Sequence, residues 1–197
     1  YCNDTLDLHR KSTSLLFNFD EEIAADIVEK AKELDVCGYE IERSCIRFIA
    51  MEQPLATDLM YIESSIRVIS HVKRIAYLCR NIAESAATIE GIKVSNKIMG
   101  ELECMADYVQ IMLTRGFGSF CNQDISVARE LASDDDKVDD LFDIILFHTT
   151  ELLTEKTQNA LEIVNIIFIA RYLERIADRV VNIGERVIFI NTHKRPH

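Results

Sequence analysis

The residues best able to do chemistry in this chain are carboxylates set at helical spacing. The run Asp134-Asp135-Asp136-Lys137-Val138-Asp139-Asp140-Leu141-Phe142-Asp143 makes i,i+4 neighbours of Asp135 with Asp139, Asp136 with Asp140 and Asp139 with Asp143. On a helix these side chains stack on shared faces. Like charges stacked in this way cost free energy in an isolated helix, so a run that repeats the pattern requires full solvation, a helix N-terminus or a cation. A second pair, Glu174-x-x-x-Asp178, lies further along. If the two pairs face each other on antiparallel helices, Asp135, Asp139, Glu174 and Asp178 present hard oxygen ligands. Such a set suits Mg²⁺, Mn²⁺, Ca²⁺ or a carboxylate-bridged iron or zinc cluster. Plainer explanations stand beside that one. Asp134 to Asp143 also fits a solvated acidic face near a helix start, where acids are favourable. Glu174 and Asp178 also fit a ladder with Arg171 and Arg175, whose surface ion pairs contribute little, with Asn182 and Glu185 as core-facing or capping groups.

Other chemistry finds little support. None of His9, His71, His148, His193 and His197 has a Glu three residues before it, which disfavours di-iron carboxylate oxidase chemistry. The six glycines never form G-x-x-x-x-G-K, so ATP binding by this chain is not expected. His148, beside Leu146 and Phe147, reads as a boundary or core histidine rather than a ligand or phosphoacceptor, and Asp143, five residues away, does not share its face. Cys2, Cys37, Cys45, Cys79, Cys104 and Cys121 are irregularly spaced without C-x-x-C, as expected of small core hydrophobes in a reducing cytoplasm. A net charge of −11 repels nucleic acid and anionic bilayers and favours cationic, metal or protein partners. The longest apolar stretch, Ile163 to Ala170, is far short of the roughly 20 residues of a membrane span. No secretory signal opens the chain, and a start at Tyr1 rather than Met is what loss of an N-terminal region leaves.

Long helices must position these residues. Of 197 residues, 48% are hydrophobic, 28% charged, 6 are Gly and 2 are Pro, too few turn formers for a hairpin-rich β fold. From Asp20 to about Gln53, Ile23, Ile27, Ala31, Leu34, Ile41, Cys45, Phe48 and Ile49 recur at three- and four-residue steps, with Asp20 as a cap and Pro54 as the break. Further helices are expected from about Leu55 to Ile89 with a stop at Gly91, from Val94 to Leu113 with weakening at Gly116 and Gly118, from Gln123 to Lys156, and from Asn159 to Asn191. Arg74-Ile75-Ala76 and Asn81-Ile82-Ala83-Glu84 return 101 positions later as Arg175-Ile176-Ala177 and Asn182-Ile183-Gly184-Glu185. Two amphipathic helices share apolar positions by chance, but not Arg, Asn and Glu together. Asp35 to Ile49 matches Asp135 to Thr149 more coarsely. The expected fold is all-α: two pseudo-repeated three-helix units, residues 1–92 and 93–192, packed as one bundle, with a basic tail at 193–197.

Leu173-Glu174-Arg175-Ile176-Ala177-Asp178 through Asn182-Ile183-Gly184-Glu185 resembles the signature helix of the PhoU family of phosphate-signalling regulators. Gln53-Pro54-Leu55-Ala56-Thr57-Asp58-Leu59 resembles the family's Q-P-x-A-x-D-L turn, and Asp135-Asp136-Lys137-Val138-Asp139 its D-D-x-V-D segment. The resemblance runs from about residue 14 to 190. It implies a six-helix, two-repeat bundle that is cytoplasmic and dimeric. Such a bundle is a non-enzymatic adaptor between the ATPase of a phosphate ABC transporter and a sensor histidine kinase. Its signature positions here are Arg74, Asn81, Glu84, Arg175, Asn182 and Glu185.

Some members of that family hold multinuclear iron or zinc clusters through E/D-x-x-x-D motifs. Repeat two of this chain keeps Asp135, Asp139, Glu174 and Asp178. Repeat one has Lys73 and Tyr77 at the matching Glu and Asp positions and Asp35 with Tyr39 on the preceding helix. An ammonium cannot ligate a cation and neutral phenols are poor hard-ion ligands, so at most one metal surface is expected. The first helix, Asn3 to Phe19, is shorter than its counterpart, as truncation would leave it. Two other functions fit the composition. A metal-dependent hydrolase would use the carboxylate-held cation to activate water, but needs a base or nucleophile that the sequence does not offer beyond the acids. A purely structural helical dimer is expected if neither metal nor transporter ATPase binds.

Overall fold

The computed structural model describes residues 1–89, 95–155 and 160–194. It is built from α1 (Cys2–Ser14), α2 (Glu21–Glu52), α3 (Ala56–Ile89), α4 (Asn96–Asn122), α5 (Ile125–Glu155) and α6 (Ala160–Thr192). Local chemistry sets several boundaries. The Asp20 carboxylate accepts from the amides of Glu22 and Ile23, 2.9 and 3.0 Å away, and starts α2. Gln53 ends it in a left-handed conformation (φ 48°), immediately before Pro54. Gln123 ends α4 in the same way (φ 54°), after which Asp124 caps α5 through the amides of Ser126 and Val127.

Three expectations need correction. The fourth helix does not weaken at Gly116 and Gly118 but runs through both to Asn122. Gly116 lies under Val180 of α6, where a Cβ would meet Val180 Cγ1 at 2.5 Å, so close packing offsets the helix cost of the glycine. The first helix stops at Ser14 rather than Phe19. The cysteines are free thiols, but only Cys79 is buried; Cys37, Cys104 and Cys121 are exposed. The stops at Gly91 and Lys156, the starts at Val94 and Asn159, and residues 195–197 of the basic tail lie outside the described residues.

The two signature helices, α3 and α6, pack against each other at the centre of the bundle. Ile75, Ala76, Ile82 and Ala83 of α3 and Ile176, Ala177, Val180 and Ile183 of α6 are almost wholly buried in this seam and its flanks. Outside it, α3 carries α2 and α1, and α6 carries α5 and α4. Contact between α1 and α4 ties the halves together a second time, while α2 and α5 lie on opposite flanks and do not touch among the described residues. The acidic pairs therefore sit on α5 and α6, two long neighbours packed along much of their length.

The α1–α4 contact contains a buried titratable group. His9 is fully buried, with Nδ1 2.7 Å from Gln110 Oε1 and Nε2 without a partner. Burial lowers its pKa to about 4. Between about 6.5 and about 4 the unfolded chain takes up a proton on this imidazole and the folded chain does not, so stability falls as pH drops through that window. His71 adds to the effect, because burial and then Arg179 lower its pKa to about 4. Thermal melts at about pH 7 and about pH 5 should show a loss for the wild type that is clearly smaller in His9→Gln. Equal losses would assign the acid response to other groups.

Candidate metal centre

The acidic run lies more than two turns inside α5, which begins at Ile125. The helix N-terminus is therefore too distant to relieve its charge, since that field acts over the first turn. Solvation takes much of the run: Asp136, Asp139, Asp140 and Asp143 are exposed, as is Asp178 of α6, whereas Asp135 and Glu174 are half-buried. Asp134 turns the other way. It is buried at 5% exposure and paired with Arg115 of α4; it also accepts from the Tyr108 hydroxyl at 2.9 Å and from Lys137 Nζ at 3.3 Å. Arg115 also pairs with Glu130, so this network fastens α4 to α5. Sequence spacing did not reveal it, because its members come from two helices without a local motif.

Asp135 and Asp139 are brought beside α6. Burial comes first in raising Asp135 to about 7, followed by the charges of Asp178, Asp139, Asp136 and Glu174. Burial and then Asp178, Asp136 and Asp143 hold Asp139 above its ordinary value, against a lowering by Arg171. Burial raises Glu174, and its ion pair with Arg171 works in the opposite direction. The four predicted residues thus share one electrostatic neighbourhood. Asp135 Oδ1 is buried without a hydrogen-bond partner. An orphaned acceptor among like charges is what a hard cation would satisfy, so the donor set fits such an ion chemically. Among the described residues, however, no three His, Cys, Asp or Glu side chains form a ready coordination set. Arg171 occupies the Glu174 carboxylate and would have to yield it.

The signature polar residues lie at matched depths in the two halves. Arg74, Glu84, Arg175 and Glu185 are exposed, and Asn81 and Asn182 are half-buried. Asn182 Nδ2 donates to the Asp178 carbonyl at 2.6 Å, within its own helix. Neither Glu84 nor Glu185 is core-facing. In repeat one, Lys73 and Tyr77 occupy the places of Glu174 and Asp178. His148 is half-buried at the outer edge of repeat two, its Nδ1 2.9 Å from the Glu101 carboxylate and its Nε2 2.6 Å from Lys97 Nζ. Among the described residues no helix is long and apolar enough to cross a membrane.

Comparison with known proteins agrees with this architecture. The PhoU domain family matches the chain twice, over residues 1–86 and 102–187. A phosphate-specific transport system accessory protein PhoU homolog 1 of Methanothermobacter thermautotrophicus is 43% identical over 192 residues, covering 98% of this chain and 88% of its own. The PhoU homolog of Clostridium acetobutylicum is 29% identical over 177 residues, covering 89% of this chain and 80% of its own. The crystal structure of PhoU from Pseudomonas aeruginosa shares the fold with a TM-score of 0.93 at 24% identity, covering 98% of this chain and 92% of that one.

Proposed function

This chain belongs to the PhoU family, and from that premise we propose that it is a non-enzymatic accessory regulator of phosphate transport. It works as an adaptor, docking on the ATPase subunit of a phosphate-specific transporter and on a sensor histidine kinase, and it acts as a homodimer in the cytoplasm. The observation that carries this reading is the likeness to a phosphate-specific transport accessory protein over 98% of the chain. Charge supports it. The exposed acids of α5 form a ridge on a chain of net charge −11, and such a field speeds encounter with a basic partner surface.

Within repeat two, Asp135, Asp139, Glu174 and Asp178 are the residues that would hold a divalent cation or a small iron or zinc cluster. A bound cation neutralises carboxylate charge and joins the helices that supply its ligands. The chain's own part is to set two acids on α5 against two on α6, so that ion occupancy is coupled to the α5–α6 contact and to the strength of the ridge.

Surface plasmon resonance against the transporter ATPase, at low and high ionic strength, tests the docking. Binding should weaken as salt rises and should be weaker in Asp136→Asn plus Asp140→Asn, both on the exposed face. Salt-insensitive binding, unchanged in the double variant, would move the docking surface away from the ridge, toward the exposed Arg74 and Arg175 faces. Metal analysis of the purified protein should find ions lost in Glu174→Ala plus Asp178→Ala and retained in Lys73→Ala.

A further inference from the structure

We propose that Lys73 is a resident cation of repeat one, its ammonium fastening α2 to α3 as a divalent ion is read to fasten α5 to α6 in repeat two. The contrast rests on that reading of repeat two; the role of Lys73 itself does not. Lys73 stands 101 positions before Glu174, in the same phase of the signature helix. Its Nζ lies 3.6 Å from Asp35 Oδ1 and 3.7 Å from Glu42 Oε1, both on α2. Lys73 and Glu42 are only 23% and 22% exposed, so their contact is better shielded from solvent than most surface pairs, whereas Asp35 is 69% exposed and contributes less.

The surroundings of Lys73 match its side chain. Gly38 lies three residues after Asp35 and four before Glu42, on the same face of α2. A Cβ at Gly38 would meet the Tyr1 hydroxyl at 2.5 Å and Lys73 Cγ and Cδ at 2.8 Å. The missing side chain therefore leaves a notch that the lysine stem shares with Tyr1 as it crosses α2, with an acid one turn to either side. At the position matching Asp178, Tyr77 carries the Arg80 guanidinium 4.3 Å above its ring, and Arg80 Nε lies 3.3 Å from Glu84. A cavity of about 320 Å³ beside them is lined by Lys32, Asp35, Lys73, Tyr77 and Arg80. Where repeat two gathers carboxylates, repeat one gathers cations against the acids of α2.

The position on α2 gives this contact its effect. Ile27, Ala31, Leu34 and Gly38 are the buried residues of α2, and none follows Gly38. Lys73 thus holds α2 at its last buried turn. A tethered ammonium cannot leave the site as a bound ion can, so this joint does not depend on the divalent-cation concentration, and response to such a cation is confined to repeat two.

Amide exchange followed by mass spectrometry, with Mn²⁺ titration by calorimetry, tests the proposal on the full chain. In Lys73→Gln, exchange in α2 beyond Gly38 should accelerate about fivefold, equally with chelator and with Mn²⁺, while α5 is unchanged. Lys73→Glu plus Tyr77→Asp should loosen α2 in chelator, recover protection with Mn²⁺ and bind one more ion than the wild type. Wild-type α2 exchange in Lys73→Gln would overturn the role of Lys73. Failure of the double variant to gain an ion or to be rescued by Mn²⁺ would overturn its equivalence to a bound cation. Mn²⁺ uptake by the wild type, and its loss in Glu174→Ala plus Asp178→Ala, test repeat two separately. A wild type that binds no Mn²⁺ would end the contrast between the halves, leaving the fastening role to the α2 exchange result.

Discussion

Asp135→Asn is expected to raise the melting temperature of the ion-free protein at about pH 8 and, in the same preparation, to weaken its response to divalent cations. The folded chain holds a proton on Asp135 up to about pH 7, whereas the unfolded chain releases it near 3.8. Folded-state stability is therefore lost as pH rises through that window, because the native state must either keep the proton or bear a partly buried charge beside Asp139, Glu174 and Asp178. Asn keeps the shape and removes the charge. The gain should be about 1–2 kcal/mol after allowance for solvent screening, or about 3–6 °C for a chain of this size, and smaller at about pH 5 where the cost is incomplete. With Mn²⁺ present the order should reverse, since a ligand stabilises the form that binds it. Asp140→Asn, on the exposed face of the same helix, should do neither. A lower melting temperature for Asp135→Asn in chelator at about pH 8 would show Asp135 to be a structural residue rather than a site residue.

Gly184→Val should destabilise the helix pair that carries the acids and disturb the acids themselves. A Cβ at Gly184 would lie 2.9 Å from the Ala128 carbonyl oxygen and 2.8 Å from Leu131 Cδ1. Leu131 can rotate, but the carbonyl belongs to the backbone of α5 and moves only if the helix moves. Overpacking of this kind costs about 1–3 kcal/mol, and each kcal/mol lowers the melting temperature by about 2–4 °C at this length. Shifting α5 also moves Asp135 and Asp139 relative to Glu174 and Asp178, so Mn²⁺ affinity should fall with stability. Gly118, where a Cβ would meet nothing within 4 Å, provides the control. Gly118→Ala should be neutral or should stabilise by about 1 kcal/mol through helix propensity. Equal effects at the two glycines would mean that α5 and α6 are not in the close contact described.

The neighbourhood of the four candidate acids was more legible in the sequence than their state. Asp135, Asp139, Glu174 and Asp178 could be named because helical spacing fixes which side chains share a face, and the 101-residue offset placed Lys73 and Tyr77 opposite two of them. Asp134 could not be separated from its neighbours by the same means. It belongs to the same run, yet it turns into the α4–α5 seam to meet Arg115 and Tyr108, whose spacings from it, 19 and 26 residues, carry no periodic signal. His9 is similar: in sequence it is one histidine in a polar stretch, and its burial against Gln110 depends on how α1 meets α4.

Glycine shows the same division. Counted along the chain, Gly116 reads as a weak point of its helix and Gly184 only as a member of the repeat, because local propensity and pattern are all that a sequence window contains. In the bundle they are the places where Val180 meets α4 and where α5 meets α6, and the helices run through them unbroken. The amino-acid order by itself determined the helices, their caps at Asp20 and before Pro54, the repeat and the acidic faces, since each of these arises from interactions within a few residues of chain. Only tertiary packing decided which acids are desolvated together, which ones arginine and lysine neutralise, and that Lys73 reaches Asp35 and Glu42 through the notch at Gly38. Burial and distance between helices set those energies, and both are properties of the assembled bundle.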